Sequence, residues 1–157
     1  MKRTTNKFVI TGLPRTRSAW FATYFTQGKT LCYHEATLND HDTDIEGYDH
    51  VGNADSGYII CPEWIEQFGD HKVVVIHRDP AVVQKSLDAV PYEFGELLWV
   101  LKMAARRLKA LDALHVNFDD INPRLEEIHD YLGVPGYDQE RAQLFFDMNI
   151  QSKNWSK

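Results

Sequence analysis

At 157 residues, 43% hydrophobic and 25% charged, the chain has the balance of one globular domain, 1–157, with a core of its own. The net charge of −6 is segregated: residues 1–34 hold six Lys/Arg and no acid, and residues 35–70 hold ten Asp/Glu and no Lys/Arg. That excludes nucleic acid as the main partner, favours a small anionic ligand at the basic end, and no apolar run approaches the roughly 18 residues of a membrane span.

The basic start Met1-Lys2-Arg3-Thr4-Thr5-Asn6-Lys7 leads into a strand, not into a signal-peptide core. Lys7–Thr11 reads as that strand, and Ser18–Gln27 as a helix ended by Gly28. A short strand is expected over Thr30–Tyr33. Residues 36–58 are polar and Asp-rich, with Gly47, Gly52 and Gly57, and read as loop or short helix. Cys61–Phe68 reads as a short helix before Gly69. Lys72-Val73-Val74-Val75-Ile76 has the β-branched run of a parallel strand buried on both faces. Asp79 and Pro80 then supply a helix cap and first residue, with the helix running to about Ala89. A longer helix is expected over Tyr92–Leu111, a strand over Leu114–Phe118, a helix from Asn122-Pro123 to Leu132-Gly133, and a last helix over Gln139–Met148. Strands alternating with helices predict a three-layer α/β/α fold with a parallel sheet, whose ligands bind at the carboxyl ends of the strands. Cys32 and Cys61 have no metal-ligand spacing; they read as reduced and structural, which fits a cytoplasmic protein.

Two segments lie at such strand ends. Gly12-Leu13-Pro14-Arg15-Thr16-Arg17-Ser18 joins a strand to a helix, so backbone N–H groups, the helix dipole and two guanidinium forks converge on one point. The loop is one residue short of an ATP-binding P-loop and has Arg17 where Gly-Lys would stand. The second strand ends in His77-Arg78, without the aspartate that would hold magnesium, so a magnesium-ATP kinase is disfavoured. In the second segment Arg78 leaves the strand and Ser86 follows eight residues later, about two helical turns along, where both can reach an anion beside the helix; taken singly, Ser86 also reads as a packing residue and Arg78 as an ion-pair partner of Asp79 or of a C-terminal carboxylate cluster.

Taken together, Gly12–Trp20 and the Arg78/Ser86 pair resemble the 5′-phosphosulfate loop (often G-x-P-[RK]-[ST]-G-[ST]-T-W) and the 3′-phosphate motif of the sulfotransferase family. Val116-Asn117-Phe118-Asp119-Asp120-Ile121, with Tyr131-Leu132-Gly133 beyond it, is similar to that family's Y-E-D-L strand end and F-L-G helix end. The resemblance spans roughly residues 7–150 and implies a short member with a P-loop NTPase-like, sulfotransferase-like fold. The implied donor is 3′-phosphoadenosine 5′-phosphosulfate (PAPS), leaving 3′,5′-ADP as product, with no metal required. By the resemblance, Arg15 and the amides of Thr16, Arg17, Ser18 and Ala19 hold the phosphosulfate, helped by the Thr16 and Ser18 hydroxyls. Arg78 and Ser86 hold the 3′-phosphate, and Trp20 lies against the adenine unless it belongs to the core.

Sulfuryl transfer is an in-line displacement that needs cations at the departing phosphate, here Arg15 and Arg17, and a base for the acceptor's proton. Glu35 is the first candidate base. It stands twenty residues past Arg15, as in family branches that act on peptidyl tyrosine and sugars, with His34 second. His34 and His77 also read as hydrogen-bonded structural histidines, and Asp55 and Ser56 as either acceptor contacts or a tight turn. Two departures stand out: Arg17 replaces a glycine that lets the backbone approach the donor, and Gln151–Lys157 offers no Gly/Lys-rich closing loop. The expected partner is a small-molecule, peptide or sugar acceptor bearing a hydroxyl or amine, not nucleic acid and not a membrane. The alternatives are a non-catalytic nucleotide-binding protein and a variant-loop phosphotransferase. The acidic stretch reads as a solvated loop region, a selector of cationic acceptors or a lid.

Overall fold

The computed structural model describes residues 5–37, 46–60, 63, 65, 71–148 and 150. Five strands, β1 (Asn6–Gly12), β2 (Thr30–His34), β3 (His50–Asp55), β4 (Lys72–His77) and β5 (Leu114–Asn117), form one parallel sheet in the order β2-β3-β1-β4-β5. The helices are α1 (Ser18–Phe25), α2 (Pro80–Asp88), α3 (Leu98–Lys109), α4 (Ile121–Leu132) and α5 (Gln139–Asp147).

The period of two along the strands divides the core into two layers. Phe8, Ile10, Val74 and Ile76 face α1, α4 and α5, whereas Val9, Val73 and Val75 face α2 and α3. Helix α1 is apolar nearly all round, Ser-Ala-Trp-Phe-Ala-Thr-Tyr-Phe, and buries Trp20, Phe21, Ala22, Tyr24 and Phe25. The Asp79 carboxylate caps α2 by accepting from the Ala81 N–H (2.7 Å), with Pro80 at the first position. Gly133 ends α4 at φ 66°, a left-handed closure that suits glycine. The three-layer α/β fold is therefore the one the sequence predicts.

Two elements differ from expectation. Residues 36–58 contain a strand, β3, followed by a 3₁₀ turn over Gly57–Ile59. Gly, Asn, Ala and Asp are poor strand formers, but β3 lies between β1 and β2 with ladders on both sides. Gly52 pairs with Phe8, whose ring lies where a Cβ on residue 52 would stand. The helix expected from Tyr92 begins only at Leu98. Gly95 takes φ 69°, and buried Gln84 accepts from the Leu97 N–H (2.8 Å) and donates to the Gly95 carbonyl (3.2 Å), which fixes that stretch as a loop. Helix α1 also stops at Phe25, before Gln27. Cys32 is buried, as expected. Cys61 and all of Cys61–Phe68 but residues 63 and 65 lie outside the described residues, as do the Gln151–Lys157 tail, Met1–Thr4 and residues 38–45. Among the described residues no helix is long and apolar enough to cross a membrane.

Beneath α1, buried His129 donates from Nδ1 to the Val134 carbonyl (2.9 Å), so its Nε2 accepts from the Tyr24 hydroxyl (2.9 Å). Burial holds its pKa below the ordinary 6.5, with the Val134 contact opposing and Arg141 reinforcing the shift. The unfolded chain thus takes up this proton first on acidification. The stability is full above about pH 6.5 and is lost as pH falls toward the folded value, at most about 1.4 kcal/mol per pH unit. Thermal melts from pH 7.5 to 5.5 should show the wild type losing midpoint more steeply than His129→Gln, which starts lower and titrates less.

Candidate active site at the carboxyl ends of the strands

The chain turns from β1 to opposite sides of the sheet, so β1 has β3 and β4 as neighbours and a crevice opens where the three end. A cavity of about 620 Å³ occupies it, a size suited to a nucleotide-scale ligand. Its polar wall carries Arg15, Arg17, Ser18, Arg78 and Ser86, together with His34 and Glu35. These side chains come from the ends of β1, β2 and β4 and from α1 and α2, so the fold gathers most of the residues singled out in the sequence.

The loop after β1 is built to hold that wall. Arg15 (φ 65°), Arg17 (φ 70°) and Glu35 (φ 54°) are the non-glycine residues with positive φ among those described, and all three border the cavity. A left-handed residue with a Cβ costs about 1–2 kcal/mol, a strain that concentrates at functional sites. Left-handed Arg17 followed by helical Ser18 also turns consecutive N–H groups toward one side, as an anion nest does. The Thr16 hydroxyl donates to the Leu13 carbonyl (2.7 Å) and pins the loop.

The arginines are linked. Arg15 Nε donates to Ser86 Oγ (3.1 Å), and Arg78 donates to the Arg15 carbonyl (2.5 Å). The two anion sites read from sequence are thus one continuous surface. Arg17 donates to Asn122 Oδ1 (3.3 Å), its guanidinium among the rings of Phe118, Phe146 and Trp20. Burial depresses the proton affinity of both Arg17 and Arg78. Arg78 adds to the effect at Arg17, Arg15 adds to it at Arg78, and Asp119 opposes it at both. Positive charge concentrated and partly desolvated in this way favours an anion.

On another side of the cavity, Ser18 Oγ and His34 Nε2 are 3.1 Å apart, and the same nitrogen lies 3.6 Å from Glu35 Oε1. Helix start, histidine and carboxylate therefore share one short chain of polar contacts. Ser56 borders the cavity, but Asp55 does not. Its fully buried carboxylate accepts from the Thr37 N–H (2.8 Å) and hydroxyl (2.7 Å), Asn53 Nδ2 (3.1 Å) and the Gly57 N–H (2.6 Å). Asp55 is thus the tight turn of its two readings. His77 is structural in the same sense, 2.7 Å from His115, whose other nitrogen bonds the Leu111 carbonyl.

Thr16 and Trp20 are held by other contacts. The Thr16 hydroxyl is buried on the Leu13 carbonyl, which leaves that residue its N–H. Trp20 is 3% exposed, stacks on Tyr24 (4.8 Å) and on Phe146 (4.7 Å), and donates from Nε1 to the Phe145 carbonyl. Its ring faces are spent on the core, so it borders the cavity without being a platform for a base. Sequence reasoning also missed the apolar wall of Leu87, Phe94, Leu97, Phe118, Phe146 and Ile150. Exposed Phe94, in the loop before α3, was the one local signal for it.

No family model matches the chain, and no curated protein matches it. Among solved structures it is similar to the crystal structure of mouse sulfotransferase SULT7A1 complexed with PAP, at 11% sequence identity and a TM-score of 0.49. The likeness covers 88% of this chain and 62% of that one, so the chain spans less than two thirds of that protein's length.

The Asp55 carboxylate ties Thr37, Asn53 and Gly57 together below Ser56. Asp55→Asn would set an amide donor against these donors, and should cost about 3 kcal/mol. Urea denaturation should show a lower midpoint with an unchanged slope.

Proposed function

We propose that this chain works as a single sulfotransferase-like domain that moves a sulfuryl group from PAPS to a hydroxyl or amine acceptor. The observation that carries the reading is the linked set Arg15–Ser86 and Arg78–Arg15, with Arg17, on the wall of the cavity that His34 and Glu35 also border. The donor set suits a dianionic nucleotide: guanidinium forks, a serine hydroxyl and a helix N-terminus, with an apolar wall for the rest of the ligand. PAPS, when bound, supplies the sulfuryl group and a phosphate leaving group.

In this reading Arg15, Arg17 and the N–H groups of residues 16–19 hold the phosphosulfate and neutralise charge that develops on the departing phosphate. Arg78 and Ser86 hold the 3′-phosphate, and Arg15 reaches across to the same serine. Glu35 takes the acceptor's proton. His34, between Ser18 and Glu35, orients that carboxylate and is the second candidate for the base. Left-handed backbone at Glu35 aims the side chain into the cavity at the cost of local strain.

Calorimetry separates this reading from a magnesium-ATP enzyme. The wild type should bind 3′,5′-ADP and ignore ATP-Mg; the reverse rejects the proposal. Arg78→Ala should weaken 3′,5′-ADP by roughly ten- to a hundredfold and 5′-AMP much less, since the latter has no 3′-phosphate. Glu35→Gln should keep 3′,5′-ADP binding and lose about 10²- to 10⁴-fold in turnover. Unchanged turnover removes Glu35 as base, and tight binding with no turnover on any acceptor favours a non-catalytic nucleotide-binding protein.

A further inference from the structure

The arginines of the cavity raise a problem that the loop alone does not solve. Arg17 and Arg78 repel each other, and long cationic side chains that repel swing apart into water. An anion would then have to gather them at the moment of binding, and ordering each one lowers affinity. What opposes the spreading lies at the junction between β5 and α4. Phe118 follows β5 directly and packs, partly buried, against the core beneath α1 and α4. Its ring centre is 4.1 Å from Arg78 Cζ and 5.0 Å from Arg17 Cζ. Both are inside the roughly 6 Å over which a ring face attracts a cation. Asn122, in the first turn of α4, accepts from Arg17, and the Asp119 carboxylate attracts both guanidinium groups.

We infer that Phe118 is a positioning residue, whose ring holds Arg17 and Arg78 side by side in the arrangement that an anionic ligand meets. The junction of β5 and α4 is then a working part of the anion site, acting through two arginines anchored on other elements. The ring offers electron density to both cations at once, and its packing against the core restrains it. A saturated side chain of similar bulk would fill the space without the attraction. The inference rests on the proposed function only in taking a nucleotide as the natural anion; the clamp itself requires no more than a phosphate-like group.

The test titrates inorganic pyrophosphate and 3′,5′-ADP into the wild type, Phe118→Leu and Phe118→Tyr, with thermal melts of the same samples. Leucine keeps apolar bulk and loses the ring; tyrosine keeps the ring. Phe118→Leu should weaken both ligands by roughly five- to thirtyfold while still melting cooperatively, and Phe118→Tyr should stay within about twofold of the wild type. Wild-type affinity in Phe118→Leu, or a Phe118→Tyr as weak as Phe118→Leu, overturns the inference. Should Phe118→Leu fail to fold, or neither ligand bind, the wild type answers directly. The Hε protons of Arg17 and Arg78 should resonate upfield of ordinary arginine through the Phe118 ring current, and ordinary shifts overturn the clamp. Pyrophosphate binding that depends on Phe118, in a protein that ignores 3′,5′-ADP, keeps the clamp and rejects the nucleotide reading. Tight 3′,5′-ADP binding indifferent to Phe118 does the opposite.

Discussion

Repulsion among three guanidinium groups at the ends of two neighbouring central strands is the constraint around which the site is arranged. Arg15 and Arg17 leave β1 within three residues of each other, and Arg78 leaves the neighbouring strand β4. Each is restrained by a different part of the chain: Arg15 by Ser86 on α2, Arg78 by the Arg15 carbonyl and Phe118, Arg17 by Asn122 on α4. None of these restraints is a buried ion pair. They are neutral acceptors and a ring, which hold the cations in place and add no negative charge of their own. A carboxylate in the same positions would hold them as firmly and cancel the field that an anion needs. Exposed Asp119 attracts Arg17 and Arg78 from a distance.

The acidic side of the cavity has a different origin. It depends on β2, on β3, a strand with little intrinsic preference for extended structure, and on one buried carboxylate. Thr11 donates to the Asp55 carbonyl (2.8 Å), which fastens β3 to β1, while the Asp55 side chain gathers Thr37, Asn53 and Gly57. Asn53 also accepts from the Ala36 N–H (3.2 Å), and Glu35 donates its own N–H to the Ala54 carbonyl (3.1 Å). The left-handed Glu35 is therefore held from both flanks by β3. The cavity thus joins a basic wall set by repelling cations to an acidic edge set by hydrogen bonds to one turn.

Much of the fold was legible because its signals are local. The Val73–Ile76 run, the Asp79-Pro80 cap and Gly133 each carry their own physical reason, and each lies where it was read. Strand β3 was not legible, because Gly52 and Asn53 become strand residues only between two ladders and under the Phe8 ring. The late start of α3 depends on Gln84, eleven residues before Gly95, which no local pattern reveals. At the cavity, Arg15, Arg17 and Arg78 were read from charge at strand ends and Ser86 from its place two turns along the next helix, and all four line one wall. What they rest on was not, since Phe118 and Asn122 reach the loop from a hundred residues away. Left-handed backbone at two arginines and a glutamate was equally hidden, because composition favours glycine there.

Arg17 shows why an arginine tolerates a place that glycine would fill without strain. Its φ of 70° costs about 1–2 kcal/mol in backbone energy. The guanidinium lies 5.0 Å from the Phe118 ring centre and 5.5 Å from that of Phe146, and contacts of this kind return about 0.5–1 kcal/mol each. The local sum is close to zero, so the position is affordable without any ligand. Glycine would bring the backbone nearer to an anion but remove the guanidinium that lies between Phe118 and Phe146. Arginine gives up the close approach and adds a charge fixed beside the first turn of α1, where the helix dipole already favours negative charge. The substitution thus exchanges one way of holding an anion, bare N–H groups at short range, for another, a caged cation at longer range.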